Sequence, residues 1–277
     1  YKPNKHNQLK FLKCLCSTGS PLSPESFDFI NKFISSEMQI GSISGGTDIL
    51  SCFVLNNPLD EVISGEIQCR GLGMAVDVFD EEGNSVTDTP GELVCTKPFP
   101  SMPIMFWNDP DGKKYQEAYF DYYPNVWRHG DWTKLTRRGT LVIFGRSDAT
   151  LNPGGVRIGT AEIYKVVESF EEILESIVIG QEWEDDIRIV LFVKLIETIS
   201  LDEKLKTEIK NKLRQLVSPR HVPAKIISVA DIPRTRSGKI TELAVRDIIH
   251  GKKIKNIEAL SNPEALSLFK DLSELNN

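Results

Sequence analysis

The stretch LVIFGRSDATLNPGGVRIG, residues 141–159, decides how the rest of the chain is interpreted. It opens with the apolar run LVIF, which predicts a buried strand. The run ends at Gly145, and the loop that follows holds three further glycines and two arginines, Arg146 and Arg157. Such a loop offers an anionic ligand both positive charge and close access to the backbone. The character of the sequence changes here, which predicts a domain boundary near Asp148.

Short β-branched and alternating runs dominate before this boundary and helical periodicity appears after it. Strands are predicted at 66–69, 75–79, 91–95 and 141–144, and later at 176–180, 187–195 and 225–229. Helices are predicted at 161–174, 201–216 and 241–249 from apolar residues at helical spacing. Ser200 and Glu203 have the spacing of a capping box for the middle helix. The prediction is a β-rich part, residues 1–147, followed by a compact α+β domain, residues 148–277.

Composition excludes several classes of protein. The 277 residues are 40% hydrophobic and 26% charged with a net charge of −6, which is ordinary for a soluble globular protein and unlike a nucleic-acid-binding domain. We also expect no membrane association, because no apolar run reaches the roughly 18 residues of a spanning helix. Five cysteines and four scattered histidines lack metal-ligand spacing. We therefore expect a reducing compartment and no structural metal.

Three more polar clusters accompany the loop at 145–159. Residues 42–48, SISGGTD, combine glycines, a hydroxyl and a carboxylate that suit a phosphate and a cation, although a structural turn is the favoured reading of this cluster taken alone. Residues 127–131, WRHGD, place a carboxylate after a glycine turn. Residues 232–240, IPRTRSGKI, contain a Gly-Lys pair, but a P-loop is rejected because Arg234 and Ile240 occupy the required glycine and hydroxyl positions.

In order and spacing, the four clusters closely resemble the later motifs of the adenylate-forming superfamily, which contains acyl-CoA synthetases, luciferases and nonribosomal peptide adenylation domains. Residues 125–132, 145–164 and 239–245 and the tail 262–266 are similar to the acetoacetyl-CoA synthetase subfamily. The resemblance implies an α/β to α+β fold. In it, residues 1–147 are the C-terminal part of a large AMP-binding domain and residues 148–277 are a small mobile C-terminal domain.

The resemblance also implies an activity and its ligands. Enzymes of this kind join a carboxylic acid to the α-phosphate of ATP with Mg²⁺ and then transfer the acyl group to CoA, and the acid of this subfamily is acetoacetate. A cytosolic ligase with ATP, CoA and acetoacetate as its partners is therefore expected. Two other readings stay open: a ligase for another acid, such as propionate or butyrate, and a non-catalytic module that binds a nucleotide or a partner protein.

Site residues follow from the resemblance by matching position. Lys239 is implied to be the catalytic lysine, because a flexible point charge can bridge the acid and the α-phosphate. Asp48 is implied to hold Mg²⁺ and Asp148 to be the hinge between the domains. The residues implied to contact ATP or AMP are Gly19, Ser20, Thr47, Asp131, Arg146 and Arg157. Those implied to contact CoA are Gly154, Gly155 and Arg214, on a basic helix face, and those implied to line the acyl pocket are Gly45 and Gly46.

Four departures from the family pattern qualify this picture. Asp48 stands where most relatives have the longer glutamate. Gly45 replaces a tryptophan that closes the pocket of acetate-specific relatives, which favours a longer acid. Phe170 stands where some relatives have a metal-binding histidine, so that site is not expected here. The phosphate-binding loop of the family is missing from the 277 residues, so we expect that the rest of the N-terminal domain is absent and that the chain alone forms no acyl-adenylate.

Overall fold

A glycine stands at the point where the computed structural model divides into two units, Tyr1–Phe144 and Gly145–Asn277. The structure describes residues 2–6, 9, 11–254 and 257–276. Gly145 has a φ of +125°, and a Cβ at this position would lie 2.9 Å from Thr160 Oγ1. No other residue type adopts this conformation in this space without strain. The assignment of the two units to parts of AMP-binding domains stays a prediction.

The first unit is built mainly from short strands. Its helices are α1 (Pro3–His6), α2 (Pro24–Phe33) and α3 (Lys113–Tyr119). Its strands are β1 (Cys14–Ser17), β2 (Gln39–Ser42), β3 (Ser44–Gly46), β4 (Ser51–Leu55), β5 (Cys69–Arg70), β6 (Val76–Phe79), β7 (Pro90–Cys95), β8 (Trp127–Leu135) and β9 (Leu141–Arg146), of which β9 runs across the division. β1 and β2 pair in parallel, β3, β4 and β5 form an antiparallel sheet, and β6 to β9 form a four-stranded sheet in sequence order.

Aromatic side chains fill the core of the first unit around Trp127, which is 1% exposed. Phe53 from β4 and Phe99 meet the indole edge-on, with ring centroids 6.3 and 5.4 Å away. Edge-to-face packing of this kind stabilises by about 0.5–1.5 kcal/mol per pair beyond the burial itself. The start of β8, which leads directly into the WRHGD cluster, is therefore fixed by its side chains.

The second unit has three layers. Its helices are α4 (Thr160–Val167), α5 (Glu203–Leu216) and α6 (Glu242–Ile249). Its sheet contains β10 (Ile173–Trp183), β11 (Asp186–Leu195) and β12 (Lys225–Ser228), with β10 antiparallel and β12 parallel to the central β11. Val178 and Leu191 pack towards α4 and α5, whereas their neighbours Ile177 and Phe192 pack towards α6 and the tail at 257–276. Both faces of the sheet are covered, which explains why β10 and β11 are apolar at successive positions.

The mixed α/β to α+β class is confirmed, with one helix shorter than predicted. The helix predicted at 161–174 ends at Val167, and β10 already begins at Ile173. Ile163 and Val166 are buried as expected, but Leu174 is 55% exposed because it lies in a bulge where the register of β10 shifts. The spacing of apolar residues within one segment does not show where that segment starts to pair with another strand. It therefore could not predict where this helix ends.

The predicted capping box at the start of α5 is wrong. The cap is Asp202, whose carboxylate accepts the N–H of Leu205 at 2.8 Å, and the helix begins at Glu203 rather than 201. The apolar stripe is correct at Leu205 but fails at Leu216, which is 66% exposed in the last turn. A carboxylate two residues closer to the helix takes the role assigned to the Ser200 hydroxyl. Within the ranges 2–6, 9, 11–254 and 257–276, no helix has the length and apolar character needed to cross a bilayer.

Candidate functional site

Two of the polar clusters meet in the first unit. Ser44 Oγ donates a hydrogen bond to Asp131 Oδ2 at 2.9 Å, although the two residues are 87 positions apart. His129 Nε2 lies 3.2 Å from the carbonyl oxygen of Gly45 and 3.8 Å from Asp131 Oδ2. Both His129 and Asp131 are buried. The glycine-rich strand β3 and the strand β8 thus form one polar site, in which a hydrogen bond from Ser44 orients the Asp131 carboxylate.

A second carboxylate fixes the backbone next to Asp131. Glu92 on β7 is 4% exposed and accepts the N–H of Gly130 at 2.8 Å and the Nε–H of Arg128 at 3.0 Å. Gly130 has a φ of +84°, a conformation that glycine adopts at little cost. The turn before Asp131 is therefore held by side-chain bonds as well as by strand pairing.

Thr47 and Asp48 lie on an exposed turn directly after β3. The hydroxyl of Tyr119 donates to Asp48 Oδ2, and the Tyr119 ring stacks on Trp127 with centroids 3.6 Å apart. Across the described residues, no group of three or more His, Cys, Asp or Glu side chains forms a cation site. One exposed carboxylate still fits Mg²⁺, which usually takes one or two protein carboxylates together with phosphate oxygens and water.

The packing around Gly45 gives a second reason why a glycine occupies this position. A Cβ on Gly45 would lie 2.1 Å from the carbonyl oxygen of Ser51 and 2.7 Å from the Cα of Cys52, both on β4. The close approach of β4 requires a glycine here, independently of any acyl group. At Gly46 a Cβ would lie 3.1 Å from His129 Cε1. The acyl-pocket role of both glycines therefore stays a prediction, and the missing indole alone does not show open space.

Gly19 and Ser20 lie in an exposed bend just after β1, and Gly19 has a φ of +94°. The structure brings neither residue into a described contact with the β3–β8 site. Their contact with ATP or AMP stays a prediction.

Lys239 stands exposed on a tight hairpin in the second unit. Thr235 donates its N–H to the Lys239 carbonyl at 2.9 Å, and its Oγ1 accepts the N–H of Lys239 at 3.0 Å. Gly238, with a φ of +83°, closes the turn by donating its N–H to the Thr235 carbonyl at 2.8 Å. The backbone under the lysine is thereby held while its side chain extends into solvent, as a mobile point charge requires.

The predicted hinge, Asp148, is held by two arginines. Its carboxylate is paired with Arg146, with 3.3 Å between Oδ1 and Nε, and its carbonyl oxygen accepts Arg246 Nη1 from α6 at 3.0 Å. Arg246 is a contact that the sequence analysis missed. The arginine gives no signal in the sequence, because only the fold brings α6 to the segment at 147–149.

The glycine loop is attached to the hairpin between β10 and β11. The Gly154 N–H donates to both carboxylate oxygens of Asp186, at 2.9 and 3.0 Å. The amides of Ile187 and Gly154 hold the pKa of Asp186 below its ordinary value. Gly154 and Gly155 both have positive φ, at 58° and 77°, and are exposed together with Arg157.

Two lysines on the basic face of α5 are already bonded to neighbouring side chains. Lys206 pairs with Glu203 at 2.8 Å, and Lys212 donates to Ser169 Oγ at 2.8 Å. Arg214 is exposed, and within the described part of the chain its guanidinium donates just one long bond, of 3.4 Å to Asn211. Arg214 is thus the member of this face that keeps the most donor capacity for a phosphate.

A tyrosine and a glutamate join the two helices that follow the glycine loop and the lysine hairpin. The Tyr164 hydroxyl on α4 donates to Glu242 Oε1 on α6 at 3.0 Å and accepts the N–H of Val178 at 3.2 Å. Burial raises the pKa of Glu242 above its ordinary value, and burial also raises the pKa of Tyr164. Neither residue was singled out from the sequence, since each looks like an ordinary helix residue.

Several comparisons with known proteins agree on the family. The family model of the AMP-binding enzyme C-terminal domain matches residues 162–239, so that it ends at Lys239. An acetoacetyl-coenzyme A synthetase of Rhizobium meliloti (strain 1021) is 62% identical over 99% of this chain and 42% of its own length. An acetoacetyl-CoA synthetase of Xenopus tropicalis is 47% identical over 100% of this chain and 41% of its own length.

The structural comparison gives the same result. The solved structure of an acetoacetyl-CoA synthetase from Streptomyces lividans matches with a TM-score of 0.90 at 43% identity, covering 100% of this chain and 43% of that one. The chain spans about two fifths of the length of these relatives. Residues 162–239 thus match the AMP-binding enzyme C-terminal domain, and the whole chain is similar to part of the acetoacetyl-CoA synthetases.

Proposed function

We propose that this chain supplies the adenylation lysine and part of the nucleotide site of an AMP-forming acid–thiol ligase, and that its acid is acetoacetate. The observation that supports this most directly is Lys239, an exposed amine on a constrained hairpin at the end of the matched AMP-binding domain. The names of the two relatives described above suggest the acid.

The proposed reaction has two steps. In the first, a carboxylate oxygen of acetoacetate attacks the α-phosphorus of ATP, the bond to the β-phosphate oxygen breaks, and acetoacetyl-AMP and pyrophosphate form. In the second, the CoA sulfur attacks the acyl carbon, its proton is lost, and AMP leaves with its phosphate oxygen. The positive charge of Lys239 stabilises the negative charge that accumulates on the α-phosphate and the acid in the first step.

The side chains of the first unit would bind the nucleotide. Asp131, oriented by Ser44, is suited to accept hydrogen bonds from two ribose hydroxyls, because a carboxylate has acceptor sites to spare beyond the bond from Ser44. Thr47 would donate its exposed hydroxyl to the α-phosphate. Asp48 would supply a carboxylate oxygen to Mg²⁺, which would offset negative charge on the phosphates. Arg146, which belongs to the second unit, would add positive charge.

The second unit would serve the thiol step. Gly154 and Gly155 present bare backbone, past which a thin pantetheine arm can move. Arg157 and Arg214 place guanidinium groups within the same unit, and these groups suit the phosphates of ATP and CoA. The ligands are thus ATP, CoA and acetoacetate, and we propose the cytosol as the place of action.

The test compares Lys239→Ala with Lys253→Ala in the complete natural chain. Lys253 is exposed and makes no hydrogen bond or ion pair among the residues that the structure describes, so it is a matched control. We expect Lys239→Ala to lower acid-dependent pyrophosphate exchange by about 10²-fold or more, the usual effect of removing one stabilising charge or donor. Exchange that stays normal would favour the alternative of a non-catalytic binding module.

A panel of acids tests the substrate. We expect the highest kcat/KM with acetoacetate, compared with acetate, propionate and butyrate. A preference for propionate or butyrate would support the alternative ligase. A preference for acetate would contradict the reasoning from Gly45.

A further inference from the structure

The tail of the chain pairs with the hairpin that carries Lys239. Arg236 donates its N–H to the Ala259 carbonyl at 3.0 Å, and Ser261 donates its N–H to the Arg234 carbonyl at 2.8 Å. Thr235 and Leu260 form an antiparallel bridge between these bonds. The tail segment 259–261 therefore lies along the first strand of the lysine hairpin as an additional strand.

Asn262 connects this added strand to the base of the hairpin. Its Oδ1 accepts the N–H of Arg234 at 2.8 Å, while its Nδ2 donates to Asp231 Oδ2 at 2.7 Å and to the Ile232 carbonyl at 3.0 Å. Asn262 is partly buried, and both ends of its amide are in use. The Asn262 side chain thus forms hydrogen bonds to three residues of the segment that enters the hairpin.

The groups around Asn262 are fixed in turn. Lys194 on β11 pairs with Asp231 Oδ1 at 2.7 Å, and this bond is the main cause that holds the pKa of Asp231 below its ordinary value. The Arg234 guanidinium bonds to Glu175 on β10, with 3.1 Å between Nη2 and Oε2, and donates to the Gly238 carbonyl at 2.8 Å. The hairpin is therefore tied to the sheet at its base and to its own turn beside Lys239.

We propose that Asn262 is a positioning residue for Lys239, so that the tail sets the geometry of acid activation. The inference rests on the proposed function of Lys239. Asn262 touches no reacting atom; it fixes the backbone from which the lysine extends. A displacement of about 1 Å at a charged group can cost about 10²-fold in rate, so loss of three hydrogen bonds at the base of the hairpin has a measurable effect.

The proposal predicts an effect on one half-reaction only. The three side-chain bonds of Asn262 described above all reach residues 231–234, whereas the glycine loop is held separately by Asp186. Asn262→Ala therefore slows acyl-adenylate formation and leaves thioester formation from added acetoacetyl-AMP unchanged. Because the ATP site is otherwise intact, the loss falls on kcat rather than on the KM for ATP.

The experiment uses the complete natural chain with variants at three positions. Pyrophosphate exchange is measured for Asn262→Ala, for Lys239→Ala and for the double variant, and thioester formation from acetoacetyl-AMP is measured in parallel. We expect Asn262→Ala to lose about 10-fold in exchange, and the double variant to match Lys239→Ala within about twofold, since both changes act through one group. Glu264→Ala is the matched control, because the Glu264 side chain makes no described bond to another residue.

Thermal unfolding and circular dichroism establish that each variant is folded, and Asn262→Ser, which keeps a small polar group, replaces the alanine variant if that one is not. Exchange by the folded variant that matches Glu264→Ala would overturn the proposal, and so would an equal loss in both half-reactions. If Lys239→Ala adenylates normally, the proposed function fails and this inference fails with it. If Lys239→Ala is inert but the Asn262 variants are normal, this inference alone is wrong.

Discussion

Replacing Tyr164 by phenylalanine tests whether one hydroxyl joins α4, α6 and β10. The change removes the donor to Glu242 and the acceptor of the Val178 N–H, and leaves the ring in place. β10 is an edge strand of its sheet, so no neighbouring strand can bond the Val178 N–H in place of Tyr164. Val178 is also fully buried, so water cannot replace the lost bond either. A buried group left without its partner costs about 1–3 kcal/mol.

With two such groups, we expect the free energy of unfolding to fall by about 3 kcal/mol, the Glu242 contribution being the smaller. A unit of this size unfolds with an entropy of about 0.3 kcal/mol/K, so its thermal midpoint should fall by about 10 °C. Differential scanning calorimetry measures the midpoint, and hydrogen exchange followed by NMR reports directly on the Val178 amide, whose protection should drop.

The control is Tyr122→Phe, because Tyr122 is 48% exposed and its hydroxyl makes no hydrogen bond within the described ranges. If Tyr164→Phe shifts the midpoint by no more than this control and leaves Val178 protected, the reasoning about the hydroxyl is refuted.

Two further predictions concern helix starts and pH. Asp202→Ala should destabilise the chain by about 1 kcal/mol through loss of the bond to Leu205, whereas Ser200→Ala should change stability by less than about 0.5 kcal/mol. Urea denaturation measures both changes. A larger loss for Ser200→Ala than for Asp202→Ala would restore the predicted capping box. The pKa of Glu242 is raised in the folded protein, so the folded state binds this proton more tightly than the unfolded state does. The free energy of unfolding therefore falls as the pH rises from about 4.5 through the folded pKa. Glu242→Gln should lack this fall and should gain in stability relative to the wild type towards neutral pH; parallel curves for both proteins would count against the assignment.

The sequence predicted those elements whose pattern is set by local burial. The predicted strands at 91–95 and 187–195 agree with the structure within one residue at each end. Their ends are visible in the sequence because most of their side chains are buried against other parts of the protein and are therefore apolar. α5 was placed as a helix but with the wrong cap, because Ser200 and Asp202 are both good caps and only the folded backbone distinguishes them. Strand pairing, which shortened α4, is not visible in a single segment.

The candidate site shows the same limit. The Ser44–Asp131 bond joins two clusters that were each singled out, although their contact was not foreseen. His129 could have been found, because residues two apart on a strand share a face and it precedes Asp131 by two. Tyr119 and Asn262 gave no signal of their role, since their partners lie 71 and up to 31 positions away along the chain.

The strand that the tail adds to the lysine hairpin also imposes an order on synthesis. Residues 234–240 leave the ribosome before residues 259–262, so a nascent chain carries the lysine on a hairpin that lacks its outer strand and the Asn262 bonds. A transcript with a premature stop codon near residue 258 would encode every residue of the matched domain and still leave that hairpin half-built. The hairpin therefore reaches its final form only after the tail has been translated.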